Sequence, residues 1–433
     1  MSSPAEITLK NVRHCQGVVI LPGSKSIANR ALLMAALCAQ GQRTVLTNVL
    51  RSDDTERMIT ALQALGVSLD IDPKEPTTIT VHGCAGQWPQ QPEQLDLGNA
   101  GTAMRPLLAV LSATWQGPTL ELTGDARMQE RPLLALVDCL QQHGAQLRCT
   151  KQWGYPPIQL SGGLQGGTLS IDGSASSQYI SALLMALPLL PQDSVLQLVG
   201  DVVSRPYIHL TIAMLARFGI EIDVHPHHFV IRGGQSYQSP QHYWVEGDAS
   251  AASYWLAAAA IAGGPLLVRG VGKLSIQGDV AFADYLAQMG AQVTVADDYI
   301  EVKGGSLRAL DADYNAIPDA AMTMATVALF AQGTTHIRNV ANWRIKETDR
   351  LAAMATELAK VGAEVVTTDS SIHITPPLQI QHAVIETYQD HRMAMCFALL
   401  GFSEAGVTIR DPNCCAKTYP NFFTEFRRLT AGH

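Results

Sequence analysis

Six stretches rich in small apolar residues recur along the chain every 71 to 75 residues, and this repeat limits the possible folds more than any other feature. Ala, Leu and Met lie on all sides of each stretch, which is typical of helices that are buried on every face. The six stretches are residues 26–39, 101–113, 176–187, 248–262, 319–330 and 390–400. The spacing predicts six copies of one supersecondary unit, each organised around a buried helix.

A second, amphipathic helix follows each buried one, and in five copies it ends at a glycine that opens a β-branched strand. Glycine at this point favours a left-handed helix end. The five glycines are Gly66, Gly144, Gly219, Gly290 and Gly362. The fold class predicted from this alternation is α/β or α+β, with buried helices wrapped by sheets.

The sixth copy stops after its second helix, at residues 419–429, and lacks its final strands. The strand-like residues 6–11 and 18–21 at the N-terminus are predicted to complete the C-terminal half. Three copies per half then give an N-terminal domain of residues 24–245 and a C-terminal domain of residues 1–23 and 246–433.

The charge balance of the 433 residues excludes several classes of protein. A net charge of −8 argues against a surface that coats nucleic acid or a membrane. The first ten residues lack a secretory signal and no apolar run could span a bilayer, so we expect a cytoplasmic protein whose eight cysteines are reduced. His225, His227 and His228 lie in a turn between two predicted strands, where histidines are more often structural than metal-binding, so no metal is expected.

The residues that open the buried helices differ between the two halves. A helix N-terminus presents free N–H groups and the positive end of the helix dipole, which favours an anion. Lys25 and Arg30 surround the first such end, while Asp248, Asp319 and Asp390 open the last three. A serine or aspartate here is most often only a helix cap, but a carboxylate facing a ligand could also act as a base.

Further basic residues lie where loops lead into helices, and helix capping alone does not explain them. The further basic residues at these loop-to-helix junctions are Arg127, Arg205, Arg350, Arg392 and Lys417. An acidic protein that concentrates its cations in this way is suited to a small substrate with several negative charges, bound between the halves.

Several long motifs resemble the 5-enolpyruvylshikimate-3-phosphate synthase family, in its glyphosate-sensitive form, along the whole chain. They are residues 21–30 (LPGSKSIANR), 97–106 (LGNAGTAMRP), 176–178 (SSQ), 317–321 (IPDAA), 342–350 (NWRIKETDR) and 388–395 (YQDHRMAM). Ala28 stands where many members have Ser, and Gln129 where many have Lys. Neither difference touches a residue with an expected catalytic role.

The resemblance implies an enolpyruvyl transferase fold, with two inside-out α/β domains that close over shikimate 3-phosphate and phosphoenolpyruvate. By similarity, the groups that bind shikimate 3-phosphate are Lys25, Ser26, Arg30, Ser176, Ser177, Gln178, Ser204, Tyr207, Asp319, Asn342 and Lys346. Those expected around phosphoenolpyruvate are Lys25, Gly101, Thr102, Arg127, Gln178, Arg350, Arg392 and Lys417. The resemblance also implies a monomer that needs no cofactor and is inhibited by glyphosate.

The same resemblance implies an addition followed by an elimination, through a tetrahedral ketal. Asp319 is the implied base on the shikimate 5-hydroxyl, and Glu347 with Lys25 the implied proton carriers at C3 of phosphoenolpyruvate. The sequence leaves open which of these three residues moves each proton. Two alternatives also stay open: the related enolpyruvyl transferase acting on UDP-N-acetylglucosamine, which typically carries a reactive cysteine where this chain has residues 124–131, and a six-repeat DNA clamp, which would need basic helix faces.

Overall fold

The computed structural model of the chain describes residues 6–10 and 12–431. They form two compact units, of which unit 1 comprises Met1–Pro22 with Glu246–His433 and unit 2 comprises Gly23–Val245. The second boundary coincides with the one predicted from sequence, and the first lies one residue earlier. Residues 1–5 and 432–433 of the predicted C-terminal domain, and Asn11 of the predicted first strand, lie outside the described residues.

The helices alternate between buried and amphipathic ones, as the repeat predicts. The buried helices are largely apolar around their circumference, whereas the amphipathic ones bury one face. In chain order the helices are α1 (Lys25–Leu37), α2 (Asp53–Ala64), α3 (Gly101–Thr114), α4 (Ala126–Glu130), α5 (Leu134–Gln142), α6 (Ser177–Ala186), α7 (Pro206–Arg217), α8 (Ala249–Ala262), α9 (Phe282–Met289), α10 (Pro318–Val327), α11 (Arg350–Lys360), α12 (His391–Phe397) and α13 (Phe422–Thr430). The six buried helices α1, α3, α6, α8, α10 and α12 begin within one residue of the predicted positions.

The strands form six small sheets, one for each repeat. In chain order they are β1 (Glu6–Leu9), β2 (Gly17–Ile20), β3 (Arg43–Thr47), β4 (Leu69–Ile71), β5 (Ile79–His82), β6 (Gln94–Asp96), β7 (Leu120–Thr123), β8 (Leu147–Cys149), β9 (Ile158–Leu160), β10 (Gly167–Asp172), β11 (Ser194–Val199), β12 (Asp223–Val224), β13 (His228–Ile231), β14 (His242–Trp244), β15 (Leu266–Arg269), β16 (Gln292–Val295), β17 (Tyr299–Lys303), β18 (Asp311–Asp313), β19 (Thr335–Arg338), β20 (Glu364–Thr367), β21 (Ile372–Thr375), β22 (Val384–Ile385) and β23 (Val407–Arg410). Five sheets have four strands, and the sheet of the sixth repeat has three. This alternation of helices and mixed sheets confirms the predicted α/β class.

The sheets share one topology. In the second repeat, the strand that precedes the buried helix, β6, pairs in parallel with the strand that follows it, β7. That strand pairs antiparallel with β9, and β9 pairs with β8. A parallel pair joined through a buried helix places the helix on one face of the sheet, so successive repeats bury their helices together.

Two strands are exchanged where the chain crosses from one unit to the other. β2 precedes α1 but pairs with β15 of unit 1, and β14 precedes α8 but pairs with β3 of unit 2. β1 pairs antiparallel with β23, the last strand of the sixth repeat. The two N-terminal strands therefore complete two different sheets of unit 1, because β1 joins the sixth repeat and β2 the fourth.

All five glycines predicted at helix ends have positive φ angles, between 76° and 113°. The left-handed conformation ends each amphipathic helix and turns the chain into the next strand, which explains why a residue without Cβ stands there. All eight cysteines are free thiols. No helix within residues 6–10 and 12–431 is long and apolar enough to cross a membrane.

One detail of the helix starts differs from the sequence-based expectation. Asp248 and Asp390 cap α8 and α12, since each carboxylate accepts a hydrogen bond from a backbone N–H of the first turn. Asp319 does not cap α10, because it is the second residue of that helix and Ile317 occupies the cap position. The Asp319 side chain, inside the first turn, is therefore available for other contacts.

Candidate active site

The N-terminal ends of α1, α3 and α6 in unit 2 carry a cationic cluster, which we define as Lys25, Arg30, Arg105 and Arg131 together with the polar groups they contact. Lys25 Nζ lies 3.0 Å from Asp54 Oδ2 on α2, and both side chains are largely buried. Asn29 donates to Thr102 Oγ1 at 2.7 Å, which fixes α1 against α3. These contacts hold the first turns of two buried helices together.

Arg30 connects α1 to α7. Its Nε donates to Thr211 Oγ1 at 2.9 Å and its Nη1 to the backbone oxygen of Ser26 at 2.9 Å. Burial lowers the pKa of Arg30 to about 10, while the nearby Tyr207 opposes that shift. The guanidinium therefore stays charged at neutral pH, among neutral hydrogen-bond acceptors.

Gly101 opens α3 beneath two guanidinium groups. A Cβ at this position would lie 2.1 Å from Arg105 Nη1 and 3.1 Å from Arg131 Nη2. Arg105 donates to Gln178 Oε1 at 3.0 Å, and Arg131 donates to Asn99 Oδ1 at 2.9 Å. A larger residue at this position would therefore have to displace the guanidinium of Arg105.

The remaining predicted residues of unit 2 lie at the starts of α4, α6 and α7. Ser176 caps α6 by accepting from the backbone N–H of Gln178 at 3.2 Å, and Ser177 is buried beside it. Ser204 is buried with φ of 54°, just before Tyr207 on α7. Arg127 pairs with Glu130 along α4 at 3.1 Å, and Arg205 is exposed.

Unit 1 carries a second cluster at the ends of α10, α11 and α12, in which acids and bases alternate. We call it the mixed-charge cluster and define it as Asp319, Lys346, Glu347, Arg350, Asp390 and Arg392. Arg350 is 1% exposed and contacts three carboxylates: Asp390 at 2.7 Å, Asp319 at 2.8 Å and Glu347 at 2.8 Å. Burial alone would lower the pKa of Arg350, but the surrounding carboxylates raise it well above its ordinary value.

Asp319 lies at the centre of the mixed-charge cluster. One carboxylate oxygen accepts from Arg350 Nη1 and the other from Arg392 Nη2 at 3.0 Å, with Lys346 Nζ at 3.6 Å. Burial opposes ionisation, but the positive charges of Arg392, Lys346 and Arg350 outweigh burial and hold the pKa of Asp319 well below its ordinary value. At 18% exposure, Asp319 is the most exposed of the three acids that contact Arg350.

Two further predicted residues of unit 1, Asn342 and Lys417, are also buried. Asn342 lies on a short 3₁₀-helix before Lys346, and Lys417 ends another 3₁₀-helix that packs against α12. In the described part of the chain, no three His, Cys, Asp or Glu side chains are arranged to hold a metal ion. The rings of His225 and His228 stack on each other at 4.3 Å.

Sequence reasoning missed several residues of both clusters. In unit 2 these are Asp54, Arg105 and Arg131; Arg105 lies inside the motif of residues 97–106, and Arg131 ends the segment 124–131 that contains the predicted Arg127. In unit 1 they are Tyr254, which accepts from Arg392 Nη1 at 3.0 Å, and the buried Asp279, which accepts from Ser250 Oγ. Asp279 and Tyr254 carried no motif signal, because their partners lie 29 and 138 residues away.

Six helix-and-sheet repeats, divided between one unit of two segments and one unit of a single segment, give this chain the fold of the enolpyruvyl transferases. The enolpyruvyl transferase NikO from Streptomyces tendae has this fold, with a TM-score of 0.78 over 99% of this chain and 97% of its own at 20% identity. EPSP synthase from Acinetobacter baumannii matches with a TM-score of 0.81 over 98% of each chain at 26% identity.

Sequence comparison identifies the family to which the chain belongs among the enolpyruvyl transferases. The family model EPSP synthase (3-phosphoshikimate 1-carboxyvinyltransferase) matches residues 9–426. The 3-phosphoshikimate 1-carboxyvinyltransferase of Idiomarina loihiensis is 57% identical over 428 residues, covering 98% of both chains. That of Klebsiella pneumoniae is 54% identical over 426 residues, covering 98% of this chain and 99% of the relative. The chain belongs to the EPSP synthase family.

Proposed function

We propose that the chain transfers the enolpyruvyl group of phosphoenolpyruvate to the 5-hydroxyl of shikimate 3-phosphate and releases phosphate, a step of chorismate and aromatic amino acid biosynthesis. In the addition, the hydroxyl oxygen bonds to C2, its proton leaves to a base, and C3 gains a proton. In the elimination, the tetrahedral ketal loses a proton from C3 and the C2–O bond to phosphate breaks. Family membership over nearly the whole chain supports this activity.

The arrangement of Asp319 carries the mechanistic part of the proposal. It is the one carboxylate among those opening the last three buried helices that does not cap its helix, and both its oxygens point at guanidinium groups. A carboxylate that makes no cap and is partly exposed can contact a bound hydroxyl and take its proton. We assign it as the base on the 5-hydroxyl.

Proton transfer at C3 is proposed for Glu347 and Lys25. Glu347 accepts from Arg350 Nη2 at 2.8 Å, and Lys25 pairs with Asp54 at 3.0 Å, so each is held by one opposite charge. A positioned acid or base of this kind contributes about 10²–10⁴-fold to a rate. Isotope exchange at C3 of phosphoenolpyruvate distinguishes the residue that delivers the proton from the residue that removes it.

The proposed substrate-binding residues are divided between the two units. We propose that Ser176, Ser177, Ser204 and Tyr207 of unit 2 and Asn342 and Lys346 of unit 1 bind the phosphate and ring of shikimate 3-phosphate, with Ser26 and Arg30 on its carboxylate and Gln178 nearby. For phosphoenolpyruvate we propose Lys25, Gly101, Thr102, Arg127, Gln178, Arg350, Arg392 and Lys417. The buried cations among them favour substrates that carry carboxylate and phosphate groups.

The experiment that tests this function measures phosphate release from phosphoenolpyruvate with two acceptors, shikimate 3-phosphate and UDP-N-acetylglucosamine. We expect release with the first acceptor only, because residues 124–131 read GDARMQER and contain no cysteine. Exchange of solvent deuterium into C3 of recovered phosphoenolpyruvate, measured in Glu347→Gln and Lys25→Met, separates the two proton carriers. Release with UDP-N-acetylglucosamine alone would overturn the assignment.

We further propose that the protein acts as a cytoplasmic monomer on small molecules, needs no cofactor, and is inhibited by glyphosate. The acidic net charge and the motifs of residues 21–30 and 97–106 support these points. Size-exclusion chromatography with light scattering tests the monomer, and a glyphosate titration against phosphoenolpyruvate tests the inhibition.

A further inference from the structure

Arg350 and Arg392 are each held by a partner that is itself immobilised in the core of unit 1. Asp390 is 0% exposed, binds Arg350 Nε at 2.7 Å, and also caps α12 by accepting from the backbone N–H of Arg392 at 3.0 Å. Tyr254 is buried on α8, accepts from Arg392 Nη1 at 3.0 Å, and packs edge-on against Phe422 with ring centroids 5.7 Å apart. Neither partner can leave without disrupting a helix end or an aromatic contact.

Asp319 holds the same two guanidiniums from the exposed side. It makes no cap, and its two oxygens accept from Arg350 and Arg392 in the way that two oxygens of a carboxylate or phosphate ligand would. It therefore occupies positions that an incoming anion would need. The chain supplies its own carboxylate where the function proposed above requires a substrate anion.

This arrangement conflicts with the role of Asp319 as a base. The guanidiniums hold the pKa of Asp319 well below its ordinary value, despite burial, whereas a general base works best when its pKa lies near the working pH. A carboxylate paired with two arginines is a weak proton acceptor. The conflict disappears if the pairing is broken when the substrate binds.

We propose that an anionic group of the substrate displaces Asp319 from Arg350 and Arg392, while Tyr254 and Asp390 act as positioning residues that keep both guanidiniums in place. The inference rests on the proposed function and deepens it. On displacement, the Arg–Asp319 hydrogen bonds break and Arg–substrate hydrogen bonds form. Asp319 is then available to take the proton from the acceptor hydroxyl, whose O–H bond breaks as its oxygen attacks C2.

Other charged groups surround Asp319 and share in any proton linkage. Lys346 and Arg350 lie before and at the start of α11, Arg392 lies on α12, and Asp279 lies on a 3₁₀-helix against α8. Glu347 is the remaining acid near Asp319. Because Asp279 also titrates in the acid range, the test must separate its protons from those of Asp319.

The binding test uses sulfate, whose charge is constant above pH 4, on the full chain. Asp319→Asn removes the competing charge, so we expect it to bind sulfate roughly tenfold more tightly than the wild type, a typical size for coupling between two ligands. Tyr254→Phe keeps the aromatic packing but loses the hydroxyl, so we expect it to bind sulfate about fivefold more weakly. Asp311→Asn is the matched control, because Asp311 pairs with Arg338 at 2.6 Å on the surface of the same unit.

Opposite changes in Asp319→Asn and Tyr254→Phe are the result expected. A purely structural role would weaken sulfate binding in both variants. Weaker or unchanged binding in Asp319→Asn overturns the proposal. If Asp319→Asn does not fold, Tyr254→Phe decides alone: a raised KM for phosphoenolpyruvate with unchanged kcat supports positioning of Arg392, and an unchanged KM overturns it.

Proton uptake gives an independent readout. Calorimetry at pH 5 in two buffers of different ionisation enthalpy measures the protons taken up when sulfate binds. We expect uptake in the wild type and in Asp279→Asn, and less in Asp319→Asn. Equal uptake in all three would overturn the displacement. Absence of phosphate release with shikimate 3-phosphate would refute the proposed function, whereas normal release without these sulfate effects would refute only the displacement.

Discussion

In unit 2, Arg30 and Arg131 donate to neutral oxygens of Thr211 and Asn99, whereas in unit 1 Arg350 donates to three carboxylates. The helix ends differ in the same sense. Within the described residues, no side chain caps α1 or α3 of unit 2, but Asp248 and Asp390 cap α8 and α12 of unit 1. One repeat has thus been used in two ways: the cationic cluster keeps positive charge available for an anion, and the mixed-charge cluster balances its charges.

The difference explains where proton chemistry is placed. The cationic cluster pairs Lys25 with one carboxylate, that of Asp54, and keeps an excess of positive charge, so it binds anions but offers few groups that accept a proton at neutral pH. A balanced cluster changes the proton affinity of its members whenever one charge is neutralised by a ligand. We therefore expect substitutions in the two clusters to have different consequences.

The largest expected effect is on stability, in Arg350→Met. Its removal leaves the buried carboxylate of Asp390 without its cation, so the free energy of unfolding should fall by about 3–5 kcal/mol. Arg232→Met in unit 2 is the matched control, since Arg232 pairs with Glu221 at an exposed site and its loss should change stability by less than about 0.5 kcal/mol. Denaturant unfolding of both variants makes the comparison. Equal stabilities would show that the mixed-charge cluster is not a mutually dependent network.

The next effect concerns Asp279 and pH. Burial, together with the negative charge of Asp319, raises the pKa of Asp279 from 3.8 to about 6. The folded chain therefore holds this proton more tightly than the unfolded chain, and the stability it contributes is present below pH 4 and is lost as pH rises through 6. Asp279→Asn lacks this dependence, so its stability relative to wild type should rise by up to about 3 kcal/mol between pH 4 and pH 8. Parallel stability curves for the two proteins would contradict the assignment.

A smaller effect is expected at Gly101 in the cationic cluster. Its φ is not positive, so alanine is permitted by the backbone, but the new methyl would displace the guanidinium of Arg105 from Gln178. We expect Gly101→Ala to raise the glyphosate inhibition constant about tenfold more than the KM for phosphoenolpyruvate, because the longer anion needs more of this space. A lower melting temperature with an unchanged ratio of the two constants would return Gly101 to a purely structural role.

The periodic features of this fold could be predicted from sequence because their causes are local. All-apolar helices and the glycines with positive φ, such as Gly290, are set by neighbouring residues. The assignment of β2 and β1 to different sheets depends on pairing between residues more than 200 positions apart, which no local pattern encodes.

The site was predictable only where function and motif coincide. Asp319, Arg350 and Arg392 were found from their motifs, but the contacts of Asp319 with both guanidiniums could not be predicted, because they join residues 31 and 73 positions apart. Arg105 lies inside a motif but was not predicted as a site residue. Its role depends on its guanidinium, which fills the space above Gly101. Tyr254 has the sequence context of a core residue, because it lies on an apolar helix. Its hydrogen bond with the distant Arg392 has no local signal in the sequence.

The most direct test of the contrast between the clusters is the turnover of Asp319→Asn, measured on the same preparation as its binding of both substrates. If Asp319 is the proton acceptor of the mixed-charge cluster, kcat should fall by roughly 10²-fold or more, with both substrates still bound. Wild-type turnover in this variant would contradict the assignment and leave Asp319 as no more than a partner of two arginines.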